Sequence, residues 1–380
     1  MRLRPLLFSV FTFSLLATVT QAADKYWVFI GTGGGKLAKG IYRSEFDPAT
    51  GSLSKAELAA EIGNPNFLAI HPNGKFLYCV GNVNVDGKGG GGVAAFALDA
   101  KTGKLTPLNQ QLAQGNGPCH INVDPSGKSL IIANYGSGST DVFPVGDDGK
   151  VKPISTHIQH KGKGANPKRQ ESPHAHSVNI TKDGKFAVVA DLGLDQVLVY
   201  KLDAAAGKIE PNDPPSCATA AGAGPRHFAF HPNGKLAFVI NELDSTLSSL
   251  SYDAEKGVLK PLKTVSTLTK EVKGNSTAEV VVHPSGKFVY GSNRGHNSIA
   301  AFRLDEKTGD LSLIGHGTEG VNTPRNFNID PTGQYMIVGS QGTNKIVMFK
   351  IDQETGALKP HGTPIEVGTP ICIRFIGIGK

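Results

Sequence analysis

The 380-residue sequence has one Trp, three Met and four Cys, and each scarcity removes a class of explanation. So few Trp and Met residues argue against an aromatic cage for a cation and against a Met-rich adaptable binding surface. Cys79, Cys119, Cys217 and Cys372 show no CxxC or other metal-ligand spacing, so neither a structural zinc site nor a disulfide scaffold is expected, and buried thiols are. Helical periodicity is nowhere sustained beyond a turn, which excludes helical solenoids and bundles. Apolar runs of spanning length are absent too. The one approach to such a run, residues 6–19, falls short of the roughly 20 residues that cross a bilayer comfortably. It follows Arg2 and Arg4 and precedes Thr20-Gln21-Ala22, which is the pattern of a secretory signal peptide over residues 1–22. Residues 23–380 are then expected as one mature domain, periplasmic or secreted, with no membrane partner after cleavage.

What is abundant is turn chemistry. The chain holds 47 Gly and 23 Pro, above their ordinary combined share of about 12%. Hydrophobic residues at 39% and charged residues at 19% suffice for a packed core. The basic balance, 39 Lys and Arg against 32 Asp and Glu, comes without aromatic stacking platforms, so nucleic acid is not expected as a partner.

Two turn motifs repeat along the chain. Asp47-Pro-Ala-Thr-Gly51 returns as Asp99-Ala-Lys-Thr-Gly103 and Asp305-Glu-Lys-Thr-Gly309, with further copies at 203–209, 253–259 and 352–358 and a degenerate one at 145–151. These seven copies recur with a mean period of about 51 residues. Between them fall His71-Pro-Asn-Gly-Lys75, Asp124-Pro-Ser-Gly-Lys128, Thr181-Lys-Asp-Gly-Lys185, His231-Pro-Asn-Gly-Lys235, His283-Pro-Ser-Gly-Lys287 and Asp330-Pro-Thr-Gly-Gln334. Proline presets φ and glycine accepts positive φ, so both motifs read as tight turns. Short β-rich runs such as Phe76-Leu-Tyr-Cys-Val80 follow them. Four strands, here a to d, in each unit of about 50 residues predict an all-β, seven-bladed propeller. The first unit lacks its opening strand, and residues 369–376 look like that strand. The C-terminus is therefore expected to pair into the first blade and close the ring, which removes free sheet edges.

Both turn motifs lie on one face of such a disc, so the other face carries the start of strand a and the end of strand b. At the start of strand a stand Asn66, Cys119, His176, Arg226, Ala278, Arg325 and Ile371, followed by Phe67, His120, Ser177, His227, Glu279, Asn326 and Cys372. Past strand b come Asn82, Tyr135, Leu192, Glu242, Arg294 and Gln341. His176, Arg226, Glu242, Arg294 and Arg325 belong to successive units and are expected to form one arc at the channel mouth. Buried charges need mutual pairing, water or a ligand. Cations outnumber carboxylates here, which points to an anionic guest; inter-blade salt bridges plugging the channel are the alternative. His174 and His176 alternate on one strand, but no third metal ligand is evident. His71, His231 and His283 are expected to be structural. The basic segment Lys161-Gly-Lys-Gly-Ala-Asn-Pro-Lys-Arg169 is either solvated or steers anions to the mouth.

Pro173-His-Ala-His-Ser177, Gly224-Pro-Arg-His-Phe228, Asn241-Glu-Leu243, Ser292-Asn-Arg-Gly295, Pro324-Arg-Asn-Phe-Asn328 and Gly339-Ser-Gln341, taken together at blade spacing, resemble the seven-bladed propeller lactonase family. That family includes propeller-type bacterial 6-phosphogluconolactonases and fungal carboxy-cis,cis-muconate cyclases. The resemblance runs from about Tyr26 to the end, and it implies that His176, Arg226, Glu242 and Arg294 are the active site. It also implies hydrolysis of a sugar-derived, anionic lactone with no metal or organic cofactor; the expected partner is a small anionic lactone or sugar acid, and the chain is expected to be a monomer. Arg226 and Arg294 would clamp the anion and the oxyanion. Glu242 is the first choice of general base, and His176 is the alternative base or the acid. Arg325, His227, Gln341 and Asn293 are the expected substrate-binding residues. The export pattern departs from the cytosolic enzymes of the family and leaves the physiological lactone open. A lactonising cycloisomerase and a non-enzymatic binding scaffold are the alternatives; a redox propeller is disfavoured by the lack of stacking aromatics and of an acidic cluster.

Overall fold

The repeated turns are built by their own side chains. At Asp99 the carboxylate accepts the backbone N–H of Lys101 at 2.9 Å, and Gly103 closes the turn at φ 66°, a conformation costly for any residue with a Cβ. In the other turn, His71, His231 and His283 each accept a backbone N–H through Nδ1, from Asn73, Asn233 and Ser285. That acceptance leaves the ring proton on Nε2. From Nε2 each ring donates to the carbonyl of Gly127, Gly286 or Gly333 in the next blade's turn, at 3.1, 2.9 and 2.8 Å. These histidines are staples between neighbouring blades.

The computed structural model describes residues 25–379, so residues 1–22, read above as a signal peptide, lie outside the described residues. The described residues form seven antiparallel sheets in a ring, each with the strand order a-b-c-d. Strand a of blades 2 to 7 begins at Gly63, Pro118, Ala175, Pro225, Ser276 and Pro324. In blade 1, strand a is the C-terminal Pro370–Gly377. It pairs with Tyr26–Thr32 in the register Tyr26↔Gly377 and Ile30↔Ile373, as the missing opening strand required. The outer strand of this blade is broken into Ser52–Leu53 and Glu57–Glu61. At the break the Ser54 hydroxyl accepts the Glu45 N–H at 2.8 Å, in place of a ladder carbonyl.

The core lies between blades. Tyr335 and Ile337 pack with Tyr26, Val28 and Phe46 of blade 1. Met336 and Val338, on the same strand, pack with Phe288, Tyr290 and Ile299 of blade 6. A strand buried on both faces has no polar side, which is why it reads as a continuous apolar run. The described residues contain no α-helix, only a 3₁₀ turn at Gln341–Thr343, and no helix among them is long and apolar enough to cross a membrane.

Candidate active site

Each inner strand slips register against strand b near its start, in all seven blades. In five blades one residue drops out of the pairing: Cys119, His176, Arg226, Arg325 and Ile371. A bulge leaves its extra residue unpaired and re-aims its side chain. All five line one cavity of about 70 Å³ at the mouth of the channel, together with Asn66, Phe67 and His227. In an unbroken strand, Arg226 and His227 would point to opposite faces. The bulge between Pro225 and His227 turns both toward the cavity.

Charge is concentrated beside this cavity. Glu242, just past the strand Leu236–Asn241, is 6% exposed, and Arg226 is 1% exposed. Glu242 Oε2 accepts from Arg226 Nε at 2.8 Å and lies 3.0 Å from Arg294 Nη2; Oε1 accepts from Arg169 Nη2 at 2.8 Å. Burial alone would raise the Glu242 pKa, but Arg226, Arg294 and Arg169 outweigh it and hold the carboxyl at about 2. Burial, and then the neighbouring Arg325, lower Arg226 to about 10; burial and Arg226 do the same to Arg294. Backbone carbonyls share the load, because Arg226 Nη1 donates to Ala278 O at 2.7 Å and Arg294 Nη2 to Thr277 O at 2.6 Å. Arg325 is different: it lines the cavity with no hydrogen bond or ion pair to any described residue.

Arg169 reaches the site from the basic segment between blades 3 and 4. Gln170, fully buried, anchors that segment by donating to Leu192 O at 2.8 Å and Asp195 Oδ1 at 2.6 Å. Arg169 also meets the Tyr135 hydroxyl at 3.3 Å. The motif spacing placed this residue only within a basic loop, because alignment on the turns gives no register for a loop between blades.

His176 is buried, and burial, then Arg226 and His227, drive its pKa well below 6.5, so the imidazole is neutral. Its Nδ1 lies 3.9 Å from Cys119 Sγ, and Nε2 makes no hydrogen bond to a described residue. His174 takes another path: its Nδ1 lies 2.9 Å from Tyr135 O, and its ring stacks on Tyr135 at 4.6 Å. Among the described residues no three His, Cys, Asp or Glu side chains are placed to hold a metal ion.

The structure thus brings His176, Arg226, His227 and Arg325 to the cavity lining, with Glu242 and Arg294 joined to Arg226 from the side. Asn293 and Gln341 are not among the lining residues. Asn293 is fully buried and bonded to Thr267, Asn275 and Ser298, within blade 6 and its approach. Gln341 opens the 3₁₀ turn Gln341–Thr343.

Comparison with known proteins agrees with this architecture. The family model described as lactonase, 7-bladed beta-propeller, matches residues 27–375. A 6-phosphogluconolactonase of Bacillus subtilis is 37% identical over 353 residues, covering 93% of this chain and 99% of that protein. One of Formosa agariphila is 36% identical over 300 residues, covering 78% of this chain and 83% of that protein. The structure of a periplasmic gluconolactonase of Pseudomonas aeruginosa, PpgL, superposes with a TM-score of 0.86 at 28% identity, covering 93% of this chain and 99% of that one.

Proposed function

The chain belongs to the seven-bladed β-propeller lactonase family, and from that premise we propose that it is a lactone hydrolase acting on a sugar-derived lactone at the bulge-lined cavity. The observation that carries the chemistry is the charge surplus: Arg169, Arg226 and Arg294 converge on one carboxylate, Glu242, and Arg325 lines the cavity with no hydrogen bond or ion pair to a described residue. Such a site is matched by an anion, or by charge that develops on an oxygen. Arg325 takes the anionic group of the substrate or product. Arg226, with Nη2 uncommitted after its bonds to Glu242 and Ala278, faces the carbonyl oxygen as it becomes an oxyanion.

The proton acceptor for the attacking water is His176. It is neutral, lines the cavity, and its Nε2 makes no hydrogen bond to a described residue. Glu242 is the weaker candidate for base, since both of its oxygens are bound by guanidinium groups and its affinity for a proton is low. Its role is to hold Arg226 and Arg294 in place. The signal-like N-terminus and the periplasmic location of the PpgL relative favour an exported enzyme, for which an unphosphorylated aldonolactone is the fitting substrate.

The test is a pH-stat assay of residues 23–380 with glucono-δ-lactone and 6-phosphogluconolactone, corrected for spontaneous hydrolysis, with Arg226→Lys alongside. Fast acid release that is lost in the variant is expected, because lysine cannot bond Glu242 and Ala278 O at once while facing the substrate. Absence of turnover on both lactones refutes the proposal.

A further inference from the structure

One buried acid takes no part in the chemistry above. Glu279 stands in blade 6 at the position that His227 holds in blade 5, and it is buried. Its Oε1 lies 2.9 Å from His227 Nδ1 and accepts the Val280 N–H at 3.0 Å, while Oε2 accepts from Asn326 Nδ2. His227 is also buried, and its Nε2 makes no hydrogen bond to a described residue. The His227 ring stands 5.3 Å from His120 and 5.6 Å from Phe67, whose rings lie 4.0 Å apart. His227 and Phe67 line both the mouth cavity and a second cavity of about 160 Å³, which Glu279 and Arg374 also line. The carboxyl–imidazole pair therefore runs from the floor of the candidate active site toward a separate space in the channel.

Ester cleavage has two proton requirements at one carbonyl carbon: water loses a proton, and the departing alkoxide gains one. The His176 and His227 rings are 5.4 Å apart across the same cavity, so one imidazole can address the attacking oxygen and the other the departing one. We propose that His227 is the proton donor to the ring oxygen of the lactone and that Glu279 is the positioning residue that orients His227 and resupplies its proton. The inference rests on the lactone hydrolysis proposed above. In the step, the carbonyl carbon–ring oxygen bond breaks with its electron pair going to oxygen, and the Nε2 proton of His227 passes to that oxygen. The Glu279 carboxyl proton passes to His227 Nδ1, leaving a carboxylate that is reprotonated from solvent. His176 gives the proton it took from water back to solvent.

The surroundings fit this assignment. Burial raises the Glu279 pKa to about 7 despite the opposing charges of Arg374 and Arg226, so the acid keeps its proton into the neutral range. Burial, then Arg226, Arg325, Arg374 and Arg294, keep His227 neutral, with neutral His120 and His176 as its other titratable neighbours.

The experiment compares wild type with Glu279→Gln on two probes, glucono-δ-lactone, whose leaving group is an alkoxide, and dihydrocoumarin, whose phenolate needs little protonation to leave. Loss of a general acid predicts a kcat roughly 100-fold lower on the first, with KM little changed and dihydrocoumarin turnover near wild type. Wild-type kcat on glucono-δ-lactone is expected to fall as pH rises through the Glu279 range, and that fall should vanish in the variant. Circular dichroism checks the fold; if Glu279→Gln does not fold, His227→Gln carries the same comparison. Equal losses on both probes, or no loss on the aldonolactone, overturn the proposal. A wild-type protein inert toward both probes would overturn the lactonase reading itself, an outcome distinct from an altered ratio between them.

Discussion

Arg226 Nε lies 2.8 Å from Glu242 Oε2 inside the propeller, and the same carboxylate oxygen lies 3.0 Å from Arg294 Nη2. One carboxylate thus holds the buried Arg226 and the half-buried Arg294 guanidinium groups apart and in register, and a third, Arg169, closes on its other oxygen. Removing Glu242 would leave those cations facing one another.

Glu242→Ala is therefore expected to cost about 3–5 kcal/mol, the range for removing one partner of a buried ion pair, and to abolish turnover. Urea unfolding with a parallel lactone assay measures both. A variant of wild-type stability would show that Glu242 does not hold the arginines.

Arg325 should behave oppositely. It lines the cavity half-buried and makes no hydrogen bond or ion pair to any described residue, so stability is set against function there. Arg325→Met is expected to keep or raise the thermal midpoint while kcat/KM falls at least about 10-fold. A simultaneous loss of stability would mean that Arg325 is structural.

Two buried acids should give the stability–pH curve opposite slopes. The folded-state pKa of Glu242 is depressed from 4.5 to about 2, so its contribution is present above 4.5 and is lost as pH falls through that interval. The folded-state pKa of Glu279 is raised from 4.5 to about 7, so its contribution is present below 4.5 and is lost as pH rises through 7. Denaturant unfolding across pH 3 to 9 should show Glu242→Gln flattening the slope below about 4.5 and Glu279→Gln flattening the fall between about 4.5 and 7. Unchanged slopes in either variant would reject that assignment.

Ring closure depends on the pairing of Tyr26–Thr32 with Pro370–Gly377. A chain ending at Gly368 exposes the edge of Tyr26–Thr32 and a broken core, and it is expected to self-associate and to lose its cooperative thermal transition. A synthetic peptide of residues 369–379 should restore the transition. A truncated monomer that melts like the full chain would show that closure is dispensable.

The architecture was legible from the sequence because its causes are local. Asp99 and Gly103 make their turn wherever they occur, and Pro-x-Gly turns at a period of about 51 residues bracket strands whose number sets the blade count. The strand at the C-terminus that opens the first blade could be read directly. Periodic alignment also brought His176, Arg226 and Arg325 to one place, since equivalent positions of a ring face the same axis. Arg169 was beyond its reach because its loop lies outside the repeat. Asn293 stood in a matching motif, yet its hydrogen bonds go to Thr267, Asn275 and Ser298.

By itself, then, the sequence determined the repeat, the closure and the set of residues available at the channel mouth. Tertiary structure decided which of them meet, and in what protonation state. The bulges that turn Arg226 and His227 to the same cavity arise from the fit of inner strands crowded around an axis. The contrast between Glu242 and Glu279, one held at about 2 and the other raised to about 7, comes from what packs around each. Both are single glutamates in β-rich segments, and only the distance to a guanidinium group, set against the loss of water, separates a fixed anion from a proton donor.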